Sequence, residues 1–297
     1  MRALQYDSHG GPEVLRWAEA PEPHAGPGRI RIAVRAASVN PLDWKMLGGM
    51  MPGATLPGYL GFDAAGVVDE VGEGVTGVRV GDDVLGKGSA TQAEFAVLNA
   101  WAAKAPSLDW AVAGAVGIAG ETAERGLRLL AVLPGQTLFI DGGAGGVGAV
   151  TVQVALARGI RVIASASEAN QDYLREIRAT PVVYGQGVAD RVRAAAGGLV
   201  DAVFDVAGKT PAQELVTLVA DPSQVLSIAN FTAPQVGARV STGGDDSRPA
   251  QALEETAELL ASNQLVVKVQ TFPFDRAAEA YRISMDGHLR GKLVLVP

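Results

Sequence analysis

A glycine-rich segment near the middle of the chain constrains the fold more than any other feature of the sequence. An apolar run over residues 137–141 leads into Gly-Gly-Ala-Gly-Gly-Val-Gly, and residues 150–156 continue with apolar positions at helical spacing. The glycines at 143, 145 and 148 fit G-x-G-x-x-G. Between a strand and a helix, this spacing gives a tight turn, a backbone that can touch a diphosphate, and a helix packed on its strand. The segment predicts a dinucleotide site; a purely structural turn is the alternative.

Composition limits the remaining possibilities. The chain has 297 residues, enough for about two domains, and a formal charge of −7, which argues against nucleic acid as a partner. No apolar run approaches the roughly 20 residues that span a bilayer, and the N-terminal segment turns polar too early for a secretory signal. The sequence contains no cysteine, which excludes disulfides, cysteine nucleophiles and thiolate zinc sites. We therefore expect a cytoplasmic enzyme that does not act at a membrane.

The pattern of apolar residues changes along the chain. Short alternating runs at 29–35, 65–71 and 78–85, separated by glycine-rich turns, predict a small β-barrel. After about Thr122 helical spacing appears, and apolar runs at 161–165, 181–184, 200–205 and 224–229 alternate with helical intervals, as in a doubly wound parallel sheet. The closing run, 289–296, has no partner in that sheet, so we expect it to return to the first domain.

Several spaced motifs resemble the zinc-independent medium-chain dehydrogenase/reductase superfamily, in its quinone oxidoreductase (zeta-crystallin-like) branch. Besides the glycine loop, the motifs are Gly-Gly-Pro-Glu-Val-Leu at 10–15, Ala-Ser-Val-Asn-Pro-Leu-Asp-Trp-Lys at 37–45, Pro-Gly-Tyr-Leu-Gly-Phe-Asp-Ala-Ala-Gly-Val-Val at 57–68, Gly-Glu-Thr-Ala-Glu-Arg-Gly-Leu at 120–127 and Gly-His-Leu-Arg-Gly-Lys-Leu-Val-Leu at 287–295.

The resemblance implies an α/β protein with two domains. A GroES-like β-barrel catalytic domain would comprise residues 1–118 with 270–297, and a Rossmann domain with a doubly wound parallel sheet would comprise 119–269. NADPH would bind between them, the substrate would be a small quinone or enone, and the molecule would be a homodimer.

A catalytic zinc is not expected. Zinc-dependent relatives carry Gly-His-Glu where this chain has Gly61-Phe62-Asp63, and a cysteine ligand near Asn40. Phe62 cannot bind a metal, and His9, His24 and His288 are interpreted as surface or capping residues. Without a metal, the chemistry left is hydride transfer to a carbon that is already electrophilic, with the protein orienting the partners and donating hydrogen bonds to the developing oxyanion.

The resemblance supplies four candidate catalytic residues. Asn40 would face the nicotinamide and substrate, although a turn residue before Pro41 is the alternative. The Thr122 hydroxyl would approach the nicotinamide side, but a helix N-cap would look the same in sequence. Lys45 stands where many relatives have Tyr and could donate to the oxyanion, or could be a solvated lysine. Tyr59 is a further possible donor that could equally serve packing.

Cofactor preference depends on the end of the second strand. NAD-specific sites place an acid there to bind the ribose diol, and this chain has Ser165-Ala166-Ser167 instead. We therefore expect NADPH rather than NADH, with Tyr184 near the 2′-phosphate, although Asn170 replaces a lysine of many relatives. The residues expected to bind the cofactor are Gly143, Ala144, Gly145, Gly146, Val147, Gly148, Ser165, Ser167, Tyr184, Asn230, Phe231 and Lys292.

The sequence favours an NADPH-dependent reductase of quinones or α,β-unsaturated carbonyls. Two alternatives stay open: an enoyl-thioester reductase of polyketide or fatty-acyl biosynthesis, and an NADPH-binding protein with little turnover.

Overall fold

A computed structural model describes residues 1–51, 55–244, 247–287 and 289–297. The chain divides into two compact units. Unit 1 comprises residues 1–118, 249–262 and 267–297, and unit 2 comprises 119–248 and 263–266. No helix in the described part of the chain is long and apolar enough to cross a membrane.

Unit 1 is built mainly from antiparallel strands. Its strands are β1 (Arg2–Tyr6), β2 (Arg16–Glu19), β3 (Ile30–Val39), β4 (Gly58–Tyr59), β5 (Asp63–Val71), β6 (Asp83–Ser89), β7 (Phe95–Ala103), β14 (Val269–Pro273) and β15 (Lys292–Val296). Its helices are α1 (Pro41–Leu47), α2 (Trp110–Gly114), α8 (Pro249–Ala261) and α9 (Ala277–Asp286), and α3 (Gly117–Leu130) begins in it.

The larger sheet of unit 1 closes on itself. Its order is β14-β15-β3-β5-β6-β7, and β7 also pairs with β3, so β3, β5, β6 and β7 form a barrel. A second sheet has the order β2-β1-β4. Tyr6, Ile30, Ile32, Leu98 and Tyr281 are fully buried in the core of this unit.

Unit 2 is a parallel sheet with helical connections. Its strands are β8 (Thr137–Asp141), β9 (Arg161–Ala166), β10 (Thr180–Val183), β11 (Ala202–Asp205), β12 (Val225–Ser227) and β13 (Arg239–Val240), and its helices are α4 (Gly146–Ala157), α5 (Gln171–Glu176), α6 (Val188–Ala196) and α7 (Ala212–Leu215). The strand order is β10-β9-β8-β11-β12-β13, with every pairing parallel. This confirms the α/β class, the barrel and the doubly wound sheet.

The closing strand also lies where the sequence predicts. β15 pairs with β3 and β14 in unit 1. The run 78–85 differs, because the strand begins only at Asp83. Gly77 and Gly81, with φ of 77° and 95°, form turns where a continuous strand was expected.

The division of the chain differs from the expected domains in the segment 249–269. Helix α8 packs against β6 and β7 and therefore belongs to unit 1. Residues 263–266 stay with unit 2, because the side-chain amide of Gln153 exchanges hydrogen bonds of 2.9 and 3.0 Å with the backbone of Val266.

Candidate functional site

The glycine loop follows β8 and opens α4, as the sequence predicts. A Cβ atom on Gly148 would lie 2.1 Å from the carbonyl oxygen of Gly142, and one on Gly143 would lie 2.6 Å from Cβ of Ala164. Both positions therefore require glycine for close packing. Gly145 is different, because a Cβ there would have only the Gly142 oxygen, at 3.5 Å, within 4 Å.

Gly145 is also the N-cap of α4, and no side chain caps this helix end. The first N–H groups of a helix have no partner within the helix, and the helix dipole favours an anion beside them. An uncapped N-terminus beside an open glycine is therefore suited to bind a diphosphate. The loop residues Gly143, Ala144, Gly145, Gly146, Val147 and Gly148 all lie at this point.

A row of buried polar side chains crosses the four central strands at this same edge. β9 contributes Ser165, β8 Asp141, β11 Asp205 and β12 Ser227, and strand register places each beside the next. All four are at most 2% exposed. The row was not foreseen, although an aspartate that ends each of two apolar strands was a visible signal.

The row fixes the loops that leave the strands. The Ser165 hydroxyl donates to Asp141 and accepts from the backbone N–H of Gly142 at 2.9 Å. Asp205 accepts from the N–H groups of Ala207 and Gly208 at 3.1 and 2.7 Å. These contacts hold the glycine loop and the loop after β11.

Ser227 extends the row to the last of these loops. Its hydroxyl donates to Asp205 at 2.7 Å and accepts from the N–H groups of Ala229 and Asn230 at 3.1 and 2.8 Å. Asn230 and Phe231, both predicted to contact the cofactor, follow directly, and Phe231 is 63% exposed. An aromatic ring this exposed, at the edge where parallel sheets bind ligands, is available for a ligand contact.

The end of β9 carries no acidic residue. Ser165 is fully buried in the row, whereas Ser167 is half-buried and Glu168 is exposed in the following turn. Asn170, which stands where relatives have lysine, is also buried. Of the two predicted serines, only Ser167 is therefore placed to meet a ribose.

A positively charged side chain, Arg191, lies at the end of the neighbouring strand β10. Tyr184 follows β10, is 39% exposed, and its N–H donates to the carbonyl oxygen of Ala166 at 3.0 Å. Nε of Arg191, from α6, donates to the Val183 carbonyl oxygen at 2.9 Å, and Nη2 donates to that of Gly185 at 3.1 Å. Sequence reasoning missed Arg191, because its spacing from Tyr184 matches no motif.

A second polar cluster is buried in unit 1 around Asn40, which precedes α1 and is 3% exposed. The side-chain Nδ2 of Asn40 donates to Oγ of Ser38 at 3.0 Å and to a carboxylate oxygen of Asp63 at 2.8 Å. Its Oδ1 accepts from Nζ of Lys292. Both amide hydrogens are therefore engaged within unit 1.

Lys292, predicted to bind the cofactor, is only 5% exposed in this cluster. Burial lowers the pKa of its ammonium group, while Asp63 and Asp43 oppose that shift. Asp43 accepts from the N–H groups of Asn40 and Gly61 at 2.6 and 2.9 Å. Burial raises the pKa of the Asp43 carboxyl to about 7, the nearby Asp63 adds to the rise, and these hydrogen bonds and Lys292 oppose it.

The other predicted catalytic residues lie in different settings. Thr122 is in the second turn of α3 and is 6% exposed, so the helix N-cap interpretation is wrong. Lys45 is half-buried on α1, with Nζ 5.7 Å from the centroid of the Trp44 ring. Tyr59 is half-buried in β4, opposite Gln5 of β1. Their catalytic roles stay predictions.

Two family models match the chain. The alcohol dehydrogenase GroES-like domain matches residues 26–125, and zinc-binding dehydrogenase matches residues 177–295.

The residues of this chain do not fit the zinc that the second description names. A catalytic zinc needs about three protein ligands, commonly histidine, cysteine or carboxylate. His9 faces the Leu47 carbonyl oxygen at 3.3 Å, His24 faces Glu70 at 3.3 Å, and His288 lies outside the described residues. Within the described ranges, no three histidine, aspartate or glutamate side chains gather into a possible metal site.

Similar proteins cover the whole chain. A solved structure of an alcohol dehydrogenase superfamily protein from Novosphingobium aromaticivorans is 30% identical, with a TM-score of 0.89, and the match covers 100% of this chain and 99% of that one. The chloroplastic quinone-oxidoreductase QR1 of Triphysaria versicolor is 29% identical over 100% of this chain and 98% of its own length. The chloroplastic NADPH-dependent alkenal/one oxidoreductase of Arabidopsis thaliana is 28% identical over 100% and 80%.

Proposed function

The chain belongs to the medium-chain dehydrogenase/reductase (alcohol dehydrogenase) superfamily, in its quinone oxidoreductase branch, and from this premise we propose that it is an NADPH-dependent reductase of quinones or α,β-unsaturated carbonyls. The observation that carries the proposal is the uncapped start of α4 beside the open Gly145, at the loop edge of a doubly wound parallel sheet. Relatives named for NADPH, alkenals and quinones support the choice of cofactor and substrate class.

The residues of unit 2 have defined tasks in this proposal. The backbone N–H groups at the start of α4 bind the diphosphate, and the glycines at 143 and 148 keep the loop close to its strand. Asn230, whose backbone N–H is held by Ser227, and the following Phe231 contact the cofactor from the loop after β12. Bound NADPH supplies a hydride, and the protein orients it.

The predicted catalytic residues other than Asn40 are the proposed hydrogen-bond donors to the acceptor. Reduction of an enone or quinone places negative charge on the carbonyl oxygen, which needs hydrogen-bond donors. Lys45 and Tyr59, both half-buried, have donors to offer, and Thr122 offers a hydroxyl. Because both hydrogens of the Asn40 amide are engaged, we assign Asn40 to shaping the site and not to donating to the oxyanion.

The proposal is tested by following NADPH oxidation in the near ultraviolet with a panel of quinones, enones and enoyl thioesters. We expect turnover with quinones or enones. The Gly145→Asp variant is the matched control. Its carboxylate would occupy the diphosphate position, so this variant should not oxidise NADPH. Turnover confined to enoyl thioesters would support the alternative of an enoyl-thioester reductase. NADPH binding without turnover of any substrate would support the alternative of an NADPH-binding protein with little turnover.

Activity should also survive prolonged treatment with EDTA or phenanthroline, because the donor set does not fit a catalytic zinc. Elemental analysis of the purified protein is the second measurement. Stoichiometric zinc, or activity that zinc restores after chelation, would overturn the metal-free mechanism.

We further propose that the enzyme is a cytoplasmic homodimer with no nucleic-acid or membrane partner. The family resemblance supports the dimer, and the net charge of −7 supports the absence of nucleic acid. Sedimentation equilibrium of the purified chain measures the oligomeric state directly.

A further inference from the structure

The row in unit 2 sets two carboxyl groups side by side. Asp141 and Asp205 pair in register on adjacent parallel strands, which lie about 4.8 Å apart. Both side chains are buried, at 2% and 0% exposure. Two buried carboxylates so close resist being ionised together, since each disfavours the charge of the other.

Hydrogen bonding distinguishes the two members. Asp205 accepts from two backbone N–H groups, of Ala207 and Gly208, and from the Ser227 hydroxyl, all of which stabilise a carboxylate. The groups that act on Asp141 are Ser165 from β9, Asp205 from β11 and Thr210 from the loop after β11, and none of these is positive. Burial raises the pKa of the Asp141 carboxyl, Asp205 adds to the rise, and Ser165 and Thr210 oppose it.

We propose that Asp141 and Asp205 form a carboxyl pair that positions the cofactor-binding loops, that Asp141 is the member that takes up a proton, and that ionisation of Asp141 weakens dinucleotide binding. This inference rests on the proposed function. The link to the loop is direct, because the Ser165 hydroxyl that donates to Asp141 also receives the N–H of Gly142.

Ionisation has a physical consequence at the phosphate site. A second negative charge would appear behind the loop whose N–H groups bind the diphosphate. At a distance of about 10 Å and an effective dielectric of about 20, one unit charge changes affinity by roughly tenfold. Dinucleotide affinity should therefore fall as the pH rises through the titration of Asp141. Asp141 and Asp205 are positioning residues in this scheme, since neither touches the reacting atoms.

The experiment measures the Kd for NADP⁺ of the full chain by titration calorimetry at a series of pH values from acidic to mildly alkaline, for the wild type and Asp141→Asn. Because the 2′-phosphate of the ligand itself titrates near pH 6, the informative quantity is the ratio of the two Kd values at each pH. The asparagine variant keeps the shape of the neutral carboxyl and cannot ionise. We expect the ratio of wild-type to variant Kd to rise about tenfold across the range.

Two further variants keep the test decisive if Asp141→Asn folds poorly. Asp205→Asn removes the neighbouring charge, so Asp141 should ionise at lower pH and the loss of affinity should move to lower pH. Ser165→Ala breaks the contact to the loop and removes a hydrogen bond that favours the charged form of Asp141, so it should weaken binding at every pH and move the midpoint to higher pH. A purely structural role would lower the melting temperature of these variants but leave the pH profile in place.

The outcomes separate this inference from the proposed function. The inference would be overturned if the Kd ratio stayed constant with pH and if Asp205→Asn lost NADP⁺ affinity at the same pH as the wild type. The proposed reductase function would be unaffected by that result. If the wild type binds no dinucleotide at any pH, the proposed function fails and the inference fails with it.

Discussion

The guanidinium of Arg191 places a positive charge at the end of β10, whereas position 170 carries an uncharged asparagine. It is anchored on carbonyl oxygens at the end of β10, next to Tyr184 and one strand from Ser167. Sites that accept NADP place an arginine near the end of the second strand to pair with the 2′-phosphate. Arg191 is therefore a candidate for the contact with the 2′-phosphate that Asn170 cannot make as a cation, and its alanine variant tests that role.

Arg191→Ala should weaken NADPH binding by about tenfold to a hundredfold, because it removes a charge-assisted contact with a phosphate. NADH lacks that phosphate, and its affinity should not change. Arg193→Ala is the matched control on the same helix, since Arg193 pairs with Asp190 at 3.0 Å and binds Thr217 at 2.6 Å. Equal losses for both cofactors, or the same loss in Arg193→Ala, would contradict the assignment.

Single residues also show where sequence reasoning stopped. The types at 40 and 292 were recognised as functional candidates, but Lys292 lies 252 positions from Asn40, and only the insertion of β15 beside β3 brings them together. Partners at such separation depend on tertiary pairing, which local patterns do not encode. Thr122 shows a different limit. Whether it caps a helix or lies inside one depends on where α3 begins, and local sequence fixes helix starts poorly.

At the scale of elements, the glycine loop yields a graded prediction. Gly145 has φ of −75° and open space, so Gly145→Ala should fold normally and bind NADPH more weakly. Gly145→Asp should abolish binding, because its carboxylate meets the diphosphate. Gly148→Ala should instead destabilise the protein by about 1–3 kcal/mol, since its Cβ would lie 2.1 Å from the Gly142 oxygen.

Thermal melting and NADPH titration of these variants separate the two roles of glycine. The expected pattern is a binding defect without a stability defect at 145, and both defects at 148. Normal NADPH binding by Gly145→Asp would show that the loop does not hold the cofactor, and the dinucleotide assignment would then be wrong.

Elements were predicted best where periodicity and glycine chemistry agree. The strand–turn–helix unit from β8 to α4 follows from the glycine spacing, and β15 was correctly assigned to the first unit. The strand expected at 78–85 failed because two glycines with positive φ turn the backbone there. The full Ser165-Asp141-Asp205-Ser227 row was not predicted: the two aspartates at strand ends are visible in the sequence, but their neighbours are known only once four strands are in register.

On the scale of the whole molecule, unit 1 is assembled from both ends of the chain. Its sheet places β15 between β14 and β3, and its buried cluster joins Lys292 of β15 to Asn40 and Asp63. The two-part composition was predicted, but the placement of α8 was not, because its apolar face fits either unit and only its packing on β6 and β7 decides. The stability of unit 1 therefore depends on a buried cluster that joins the last strand, β15, to residues near the start of the chain.

Asp43 makes that stability depend on pH. The pKa of its carboxyl is about 7 in the folded chain against 3.8 as the ordinary value, so the folded state holds a proton that the unfolded state releases. The stabilisation is complete below about pH 4 and is lost as the pH rises towards about 7. We expect the free energy of unfolding to fall by a few kcal/mol across that interval, with Asp141 contributing in the same direction.

Urea unfolding at a series of pH values measures this slope. Asp43→Asn should be less stable at low pH, because it loses an acceptor for the N–H of Asn40 or Gly61, and its slope should be much flatter. Asp172→Asn is the control, since its side chain is 97% exposed, and it should keep the wild-type slope. If Asp43→Asn retains the full slope, the buried proton lies elsewhere and Asp43 is ionised in the folded protein. If the slope flattens as expected, the folded chain holds its proton on Asp43, in a cluster where two carboxyl groups face one ammonium group.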